Sequence, residues 1–581
     1  PLSCSPQQMN LKISKEWKHL GIVCLTAVVL MLPILVFGIP SGNDLPQHFQ
    51  FAQAYYDSLT GGDGFPNWSA RENFGYGSIG IRFYPPLSYY VLAFARMISG
   101  NWFDAAWLAF TFWMVLGCVG VYFWARWWMP PKMSALAGAF YAIIPYHLNQ
   151  LYISFVYADF AGAAILPFCF AFQTRVFKRG KKSDVLGLAV FYALLVLTHL
   201  PSAIIGSMSL AVYALILLEK KKAFRQLASS AAAAFLGLAA SSYYWLAMVI
   251  EMGWLNHATE KYQSGHYYFG NRFFPMYLSG TIKDNKDNLI LSDIITSFCL
   301  LFLASAAVYF FYRKTENFGD GRAAQIFRFV LPLGLFAVFM ATPLSYPVWK
   351  ILTPLQKIQF PMRWMALVSM CGAIVTAATA YFLLKGEFLK KRSWIYASMI
   401  FLALFFIIDF TYMLYPSAFM PIERAQFEQD MRELPDKPNY VFWWAIWSKE
   451  DALKIKEKVL SGGRAVEIAD WNPEQRSFTV EAGAPVSARI ATFYYPRWKA
   501  EVNGRPVEPE KDENGALLIP LPAERSTVRL YFEEPSIVRA SSLVSFLAWL
   551  FIVGSGLFLT AGAVFAARRP FEKLPEPSAV N

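Results

Sequence analysis

The chain has 581 residues, 56% of them hydrophobic, 17% aromatic and only 16% charged. So apolar a composition excludes an ordinary soluble protein of this size and predicts a polytopic membrane protein. The formal net charge of +12 would suit a nucleic-acid partner, but the Lys and Arg residues sit in short loops between apolar runs, the pattern of membrane topology.

A helix needs about 20 apolar residues to cross the hydrocarbon core, and Leu20 to Gly38 is the first such run. It is too long for a signal-peptide core and reads as a retained anchor. Lys12, Lys15 and Lys18 before it place the N-terminus in the cytoplasm and the following loop, 39–103, outside. Further crossings are expected near 104–125, 133–148, 160–175, 184–200, 202–218, 228–250, 293–312, 329–344, 363–384, 393–413 and 541–566, twelve in all. With that count the basic loops at 126–132, 175–182, 220–225, 313–328, 385–392 and 568–569 all fall inside. The segment Pro86 to Ser99 is then a helix lying at the outer interface, since counting it as a crossing would invert every later loop.

From Tyr415 to Val538 the composition turns charged and polar, which marks an external domain inserted before the last helix. Strands are expected at Arg476–Val480, Val486–Tyr494, Lys499–Val502, Leu517–Leu521 and Thr527–Phe532, with Asn503-Gly504 as a hairpin turn. The organisation predicted is thus an all-α transmembrane domain (1–414), a β-rich external domain (415–538), and a last helix with a cytoplasmic tail (539–581).

Several residues able to carry chemistry fall at the outer ends of the expected helices. Asp44 follows helix one, where a carboxylate meets both interface and water and suits a base acting on a lipid-linked substrate; the plainer role is to cap a helix starting at Leu45-Pro46. Asp159 precedes the fourth crossing, as a helix cap or as a paired functional acid. His199 and Glu251 end the fifth and seventh crossings, and each has a structural alternative. Arg363, beside Trp364, stands at headgroup level. Its planar donors suit a phosphate, and snorkelling is the alternative. His48, Arg82 and Tyr84 in the first loop complete the set. The six cysteines are scattered, and there is no Walker loop, HExxH or GxSxG, so no metal, cofactor or disulfide framework is expected.

The segments Asp44-Leu-Pro-Gln-His48, Asn73-Phe-Gly-Tyr-Gly77, Tyr84-Pro-Pro-Leu87, Ile144-Pro-Tyr146, Thr198-His199, Trp245-Leu246 with Glu251, and Gln359-Phe-Pro-Met-Arg363 carry a resemblance that spans nearly the whole chain. It resembles bacterial membrane proteins labelled "6-pyruvoyl-tetrahydropterin synthase-related", whose layout is similar to the C-type (GT-C) glycosyltransferases, YfhO-like proteins and lipid A aminoarabinose transferases among them. Nothing in it resembles the soluble synthase of that label.

The resemblance implies a GT-C-like fold and a bacterial inner membrane, with both termini cytoplasmic and the active face outside. It implies transfer of a sugar from a polyprenyl-phosphate carrier to a lipid, glycan or protein, with no nucleic acid involved. Asp44 would be the catalytic acid, Asp159 the second acidic position and Arg363 the phosphate-binding arginine. His48, His199, Glu251, Tyr84 and Arg82 would line the substrate and carrier site, and the Tyr and Trp residues of the first loop would stack on sugars. Met362 and Phe155 depart from the pattern, which usually has Trp and Arg there. A lipid or glycan transporter, or a non-catalytic subunit of a membrane assembly, is the alternative.

Overall fold

The computed structural model describes residues 6–254, 268–274, 324–385, 420–434 and 457–568, apart from Asn43, together with short pieces within 299–307 and 400–414. Helix α1 (Pro6–Phe37) runs into a two-residue strand β1 (Ile39–Pro40). Helices α2 (Leu45–Thr60), α3 (Gly80–Phe83) and α4 (Leu87–Ser99) form the first loop region, and α5 (Trp102–Ala125) is the hub of the bundle, packing on α1 and α4. Then follow α6 (Pro131–Ala142), α7 (Pro145–Tyr152), α8 (Tyr157–Arg179), α9 (Lys182–Val196), α10 (Leu200–Leu217), α11 (Ala223–Ala240) and α12 (Ser242–Glu251). Beyond them lie α13 (Ala324–Ala341), a 3-10 turn (Pro361–Trp364) leading into α14 (Met365–Lys385), the short α15 (Arg424–Glu433) and the last helix α16 (Ser536–Arg568).

Seven helices are long and apolar enough to cross a membrane, or eight if α11 and α12, bent by 72°, form one span. The twelve expected crossings are therefore not reached among the described residues. The run 133–148 is broken at Ile143-Ile144 because Pro145 disfavours helical geometry in the residue before it, leaving α6 and α7 too short. Helix α9 has only 15 residues, and the expected crossings at 293–312 and 393–413 lie mostly outside the described residues. The α11–α12 bend has a local cause. The Ser241 hydroxyl bonds the Gly237 carbonyl at 2.9 Å, and the Ser242 hydroxyl bonds both Ala239 and Ser541 carbonyls at 2.9 Å, so side chains compete with the helical ladder.

The C-terminal β region is a two-sheet sandwich. Strands β3 (Val459–Leu460), β6 (Val486–Phe493), β10 (Ala516–Leu521) and β9 (Glu510–Lys511) form one sheet in that order. The other runs β4 (Val466–Trp471), β5 (Gln475–Val480), β11 (Ser526–Phe532), β7 (Trp498–Val502) and β8 (Arg505–Val507). All pairings are antiparallel, and Asn503-Gly504, at φ +52° and +75°, joins β7 to β8 as its turn chemistry requires. The five expected strands are present within one residue at each end. A further strand β2 (Pro421–Ile422) pairs with β1, tying the chain after the helical region back to the end of α1.

Two contacts fix the sandwich on the helical domain. The first is the Asn73–Gly77 turn, whose Asn73 and Phe74 sit at positive φ and whose Asn73 amide bonds the Gly77 carbonyl at 3.0 Å. Tyr76 accepts from the Phe493 amide at 2.9 Å and from Arg489 at 2.6 Å, and Trp68 packs edge-on against Trp498. Trp68 and Tyr76 are thus buried under the sandwich, not presented to sugars as the sequence led us to expect. The second contact is a buried ionic cluster. Glu251 accepts from Arg82 Nε at 2.5 Å and Nη2 at 2.8 Å, from Tyr495 at 2.6 Å and from Arg497 at 2.9 Å. Arg82 also donates to Asn67 at 2.8 Å and to Glu534. Burial opposes the Arg82 charge, but its bonds to Glu534 and Glu251 outweigh that and raise its pKa.

Gly77→Ala is expected to destabilise the purified protein clearly in a thermal melt, because its Cβ would lie 2.0 Å from Trp68 Nε1 at φ +80°. Gly75→Ala, with nothing within 4 Å of its Cβ, should cost only the left-handed penalty of about 1 kcal/mol. Glu251→Ala would leave the buried Arg82 with Glu534 as its remaining carboxylate and remove the acceptor of Tyr495 and the half-buried Arg497, and should cost about 3 kcal/mol. Breaking the exposed Arg71–Asp57 pair should cost about 1 kcal/mol or less in the same melt.

Candidate active site

The turn that carries Asp44 is pressed against the segment entering α8. A Cβ on Gly42 would lie 2.4 Å from Phe155 Cβ and 2.6 Å from the Ser154 carbonyl carbon, so only glycine permits the approach. Phe155 is buried and held at φ +49°, a conformation kept by the packing around it. Asp44 stands at the N-cap position of α2, with Pro46 in the first turn, yet its side chain makes no capping bond. The capping role is therefore not what its carboxylate does.

Asp159 is buried in the first turn of α8, whose cap position is Val156. Arg363 Nε donates to its Oδ2 at 3.3 Å, the Ser202 hydroxyl to its Oδ1 at 3.3 Å, and His199 Nδ1 lies 3.5 Å from the same oxygen. His199 also caps α10: its Nδ1 accepts from the Ser202 amide at 3.4 Å and lies 2.8 Å from the Ser202 hydroxyl. The structural role foreseen for it is thus real, and contact with the acid is added to it. Arg363 is steered from the 3-10 turn by a 2.6 Å bond from Nη1 to the Ile358 carbonyl and by the Phe360 ring 4.8 Å away. Gln359 just before it holds φ +68°. Nη2 makes no hydrogen bond among the described residues.

His48 is buried on α2, with Nδ1 2.9 Å from the Tyr89 hydroxyl and Tyr84, Phe155 and Tyr157 rings around it at 6.4, 6.2 and 5.8 Å. Burial, reinforced by His199, lowers its pKa to about 3, so the ring is neutral near pH 7 and meets a ligand as a dipole, not as a cation. Asp44 keeps one side exposed, but the protein around it raises its carboxyl pKa above the ordinary aspartate value, and the nearby Arg363 charge opposes that rise. The structure therefore brings Asp44, His48, Tyr84, Asp159, His199 and Arg363 into one neighbourhood. Arg82 and Glu251 do not join it, since their polar atoms are engaged in the ionic cluster under the sandwich.

Sequence reasoning missed Ser202, Tyr89 and the polar face of α7. Gln150 approaches both Asp159 and His147 without a bond of good geometry, so its two amide atoms, His147 Nε2 and Asn149 Oδ1 are buried without a well-formed hydrogen bond. The signal was available in Pro145-Tyr-His-Leu-Asn-Gln150, a short helix too polar to be lipid-facing and yet wholly buried. Such orphan groups are what a polyhydroxylated ligand satisfies. Among the described residues, no three His, Cys, Asp or Glu side chains come together as a metal site. What the cluster offers is a carboxylate able to take a proton, beside a guanidinium with a nitrogen to spare for an anionic oxygen.

Among solved structures, the chain is similar to the oligosaccharyltransferase AglB from Archaeoglobus fulgidus in complex with an inhibitory peptide and a dolichol-phosphate. That match has 15% identity and a TM-score of 0.40, covering 69% of this chain and 55% of that one. It is also similar to ArnT from Cupriavidus metallidurans bound to undecaprenyl phosphate (14% identity, TM-score 0.30, 62% and 76% covered). A third match is the arabinosyltransferase EmbB from Mycobacterium smegmatis (11% identity, TM-score 0.37, 88% and 63% covered). The chain thus spans about half the length of the archaeal enzyme. No curated protein matches it. Residues 81–417, more than half of the chain, match the family described as 6-pyruvoyl-tetrahydropterin synthase related domain, membrane protein, and the chain belongs to that family of membrane proteins.

Proposed function

We propose that this protein is an inverting glycosyltransferase of the GT-C type, moving a sugar from a polyprenyl-phosphate carrier to a hydroxyl or amine of a lipid, glycan or protein. The observation that carries the reading is that Asp44, with no ion pair among the described residues, sits on a turn pressed against the entry to α8, where the guanidinium of Arg363 is held in place by a different acid, Asp159. A structural pair would have consumed both groups. Here one acid orients the cation and the other is left for the substrate.

In the proposed reaction the acceptor oxygen or nitrogen attacks the anomeric carbon as the bond from that carbon to the phosphate oxygen breaks. The acceptor's proton goes to Asp44, and the bonding pair leaves with the polyprenyl phosphate, whose charge Arg363 stabilises. Asp159, His199 and Ser202 position Arg363, and the polar face of α7 with Tyr84 contacts the sugar. The basic loops at 126–132, 175–182 and 220–225 lie at the helix ends opposite Asp44, so we place the reacting face and the β-sandwich outside the cytoplasmic membrane of a bacterium.

In a transfer assay with a polyprenyl-phosphate sugar, Asp44→Asn is expected to lower the rate by about 10²–10⁴-fold while carrier-phosphate binding persists. Full activity in that variant would remove Asp44 from the role. In liposomes, recovery of unchanged donor on the far side without product would favour transport instead.

The base must be ionised, so the rate should fall as pH drops through an apparent pKa above the usual aspartate range. Arg363 holds that pKa down, and Arg363→Gln should therefore move the acid limb of the residual activity to higher pH. A limb that stays in place would separate Arg363 from Asp44.

A further inference from the structure

A cavity of about 500 Å³ lies apart from the Asp44–Arg363 cluster, walled by the first-loop region, α12 and the start of the last helix α16. Its polarity is graded along α16. Arg539, Ser542 and Ser545 line it first, and Phe546 and Trp549 follow. Arg539 and Trp549 are ten residues apart, about 15 Å along a helix at 1.5 Å per residue. Since α16 enters the membrane from the sandwich side, this distance runs from headgroup depth to acyl depth.

The polar end holds Glu534, whose charge is balanced by its pair with Arg82, and it has donors to spare. Arg539 is exposed and makes no ion pair among the described residues. Tyr55 and Tyr243 also line the cavity, and Tyr55 is only 4% exposed, yet neither hydroxyl has a hydrogen-bond partner among the described residues. By contrast, the Tyr90 and Tyr244 hydroxyls there are satisfied by the Gly64 and Phe83 carbonyls. The apolar end opens sideways: Phe546 is 60% exposed, in a row with exposed Leu543, Leu547 and Leu550 that faces the bilayer. A soluble sugar has no reason to sit against that row, and an acyl chain does.

We propose that this cavity binds an anionic glycerophospholipid, entering laterally from the leaflet on the sandwich side. Its phosphodiester would lie against Arg539 and the Tyr55 and Tyr243 hydroxyls, and an acyl chain against Phe546 and Trp549. The site is independent of the glycosyl-transfer reaction and stands or falls without it.

The test uses the full-length protein in proteoliposomes with a phosphatidylglycerol carrying a photoreactive group on its acyl chain, the adducts being mapped by mass spectrometry. Labelling should concentrate at Phe546 and Trp549, be competed by unlabelled phosphatidylglycerol but not by inorganic phosphate, and be weaker with a phosphatidylcholine probe. Arg539→Gln should reduce it about ten-fold, the effect of one charge-assisted contact. Ser542→Trp, which fills the cavity from its wall, should abolish it while leaving adducts at Leu547 and Leu550. Should Arg539→Gln fail to insert, Tyr243→Phe and Ser542→Trp decide. Labelling spread evenly along α16 and unchanged in these variants marks ordinary boundary lipid and overturns the site. Competition by inorganic phosphate overturns the lipid assignment.

Discussion

A charge inside a helical membrane domain persists only where a partner is fixed beside it, and the Asp159–Arg363 pair is the point at which this protein meets that condition. The carboxylate sits at the start of α8 and the guanidinium on the turn entering α14, so the pair locks together two elements about 200 residues apart in sequence. His199 and Ser202 on α10 complete the carboxylate's surroundings. Three helix starts are thereby gathered around one acid. Asp159 is engaged with Arg363, Ser202 and His199, whereas Asp44 makes no ion pair among the described residues. Two carboxylates of the same chemistry are thus left in different states of pairing by their surroundings alone.

The same rule operates a second time where the β-sandwich meets the helices. Glu251 is fully buried and faces two arginines and a tyrosine, one arginine from the first loop and the other groups from the sandwich. Arg82 in turn faces Glu534, just ahead of the last helix. Such a cluster stays satisfied only when all its contributors are in register, so it couples the position of the sandwich to that of the first loop. The Asn73–Gly77 turn adds a shape constraint to the electrostatic one, because Trp68 occupies the space a side chain at Gly77 would need.

This division explains what was legible in the sequence. Asp44, Asp159, His199 and Arg363 were visible because polar residues at the ends of apolar runs are few, and the alternation of spans put them on one side. The strands of the sandwich were visible because their alternation and the Asn503-Gly504 turn are local signals. Arg82 and Glu251 were read as carrier contacts because their partners, Glu534, Tyr495 and Arg497, lie 240 or more residues downstream and no local pattern announces them. Ser202 and Tyr89 carry no signal of their own, being ordinary residues made important by what faces them. The stretch 133–148 was read as one unbroken helix because hydropathy does not register that Pro145 ends one helix and begins another.

A chain of contacts runs from the cavity beside α16 to the turn that carries Asp44. Tyr55 lines the cavity and lies nearly parallel to Tyr89, with ring centroids 6.0 Å apart and planes 9° apart. The Tyr89 hydroxyl meets His48 Nδ1, and the His48 amide bonds the Asp44 carbonyl at 3.1 Å. Each link is a packed ring or a hydrogen bond, with no flexible aliphatic side chain between them. Gly42 and Phe155 leave that turn no room to yield toward α8. Part of the aromatic density of the first loop, which in the sequence suggested surfaces for sugars, is thus spent on packing Tyr55 and Tyr89 against the turn that carries Asp44.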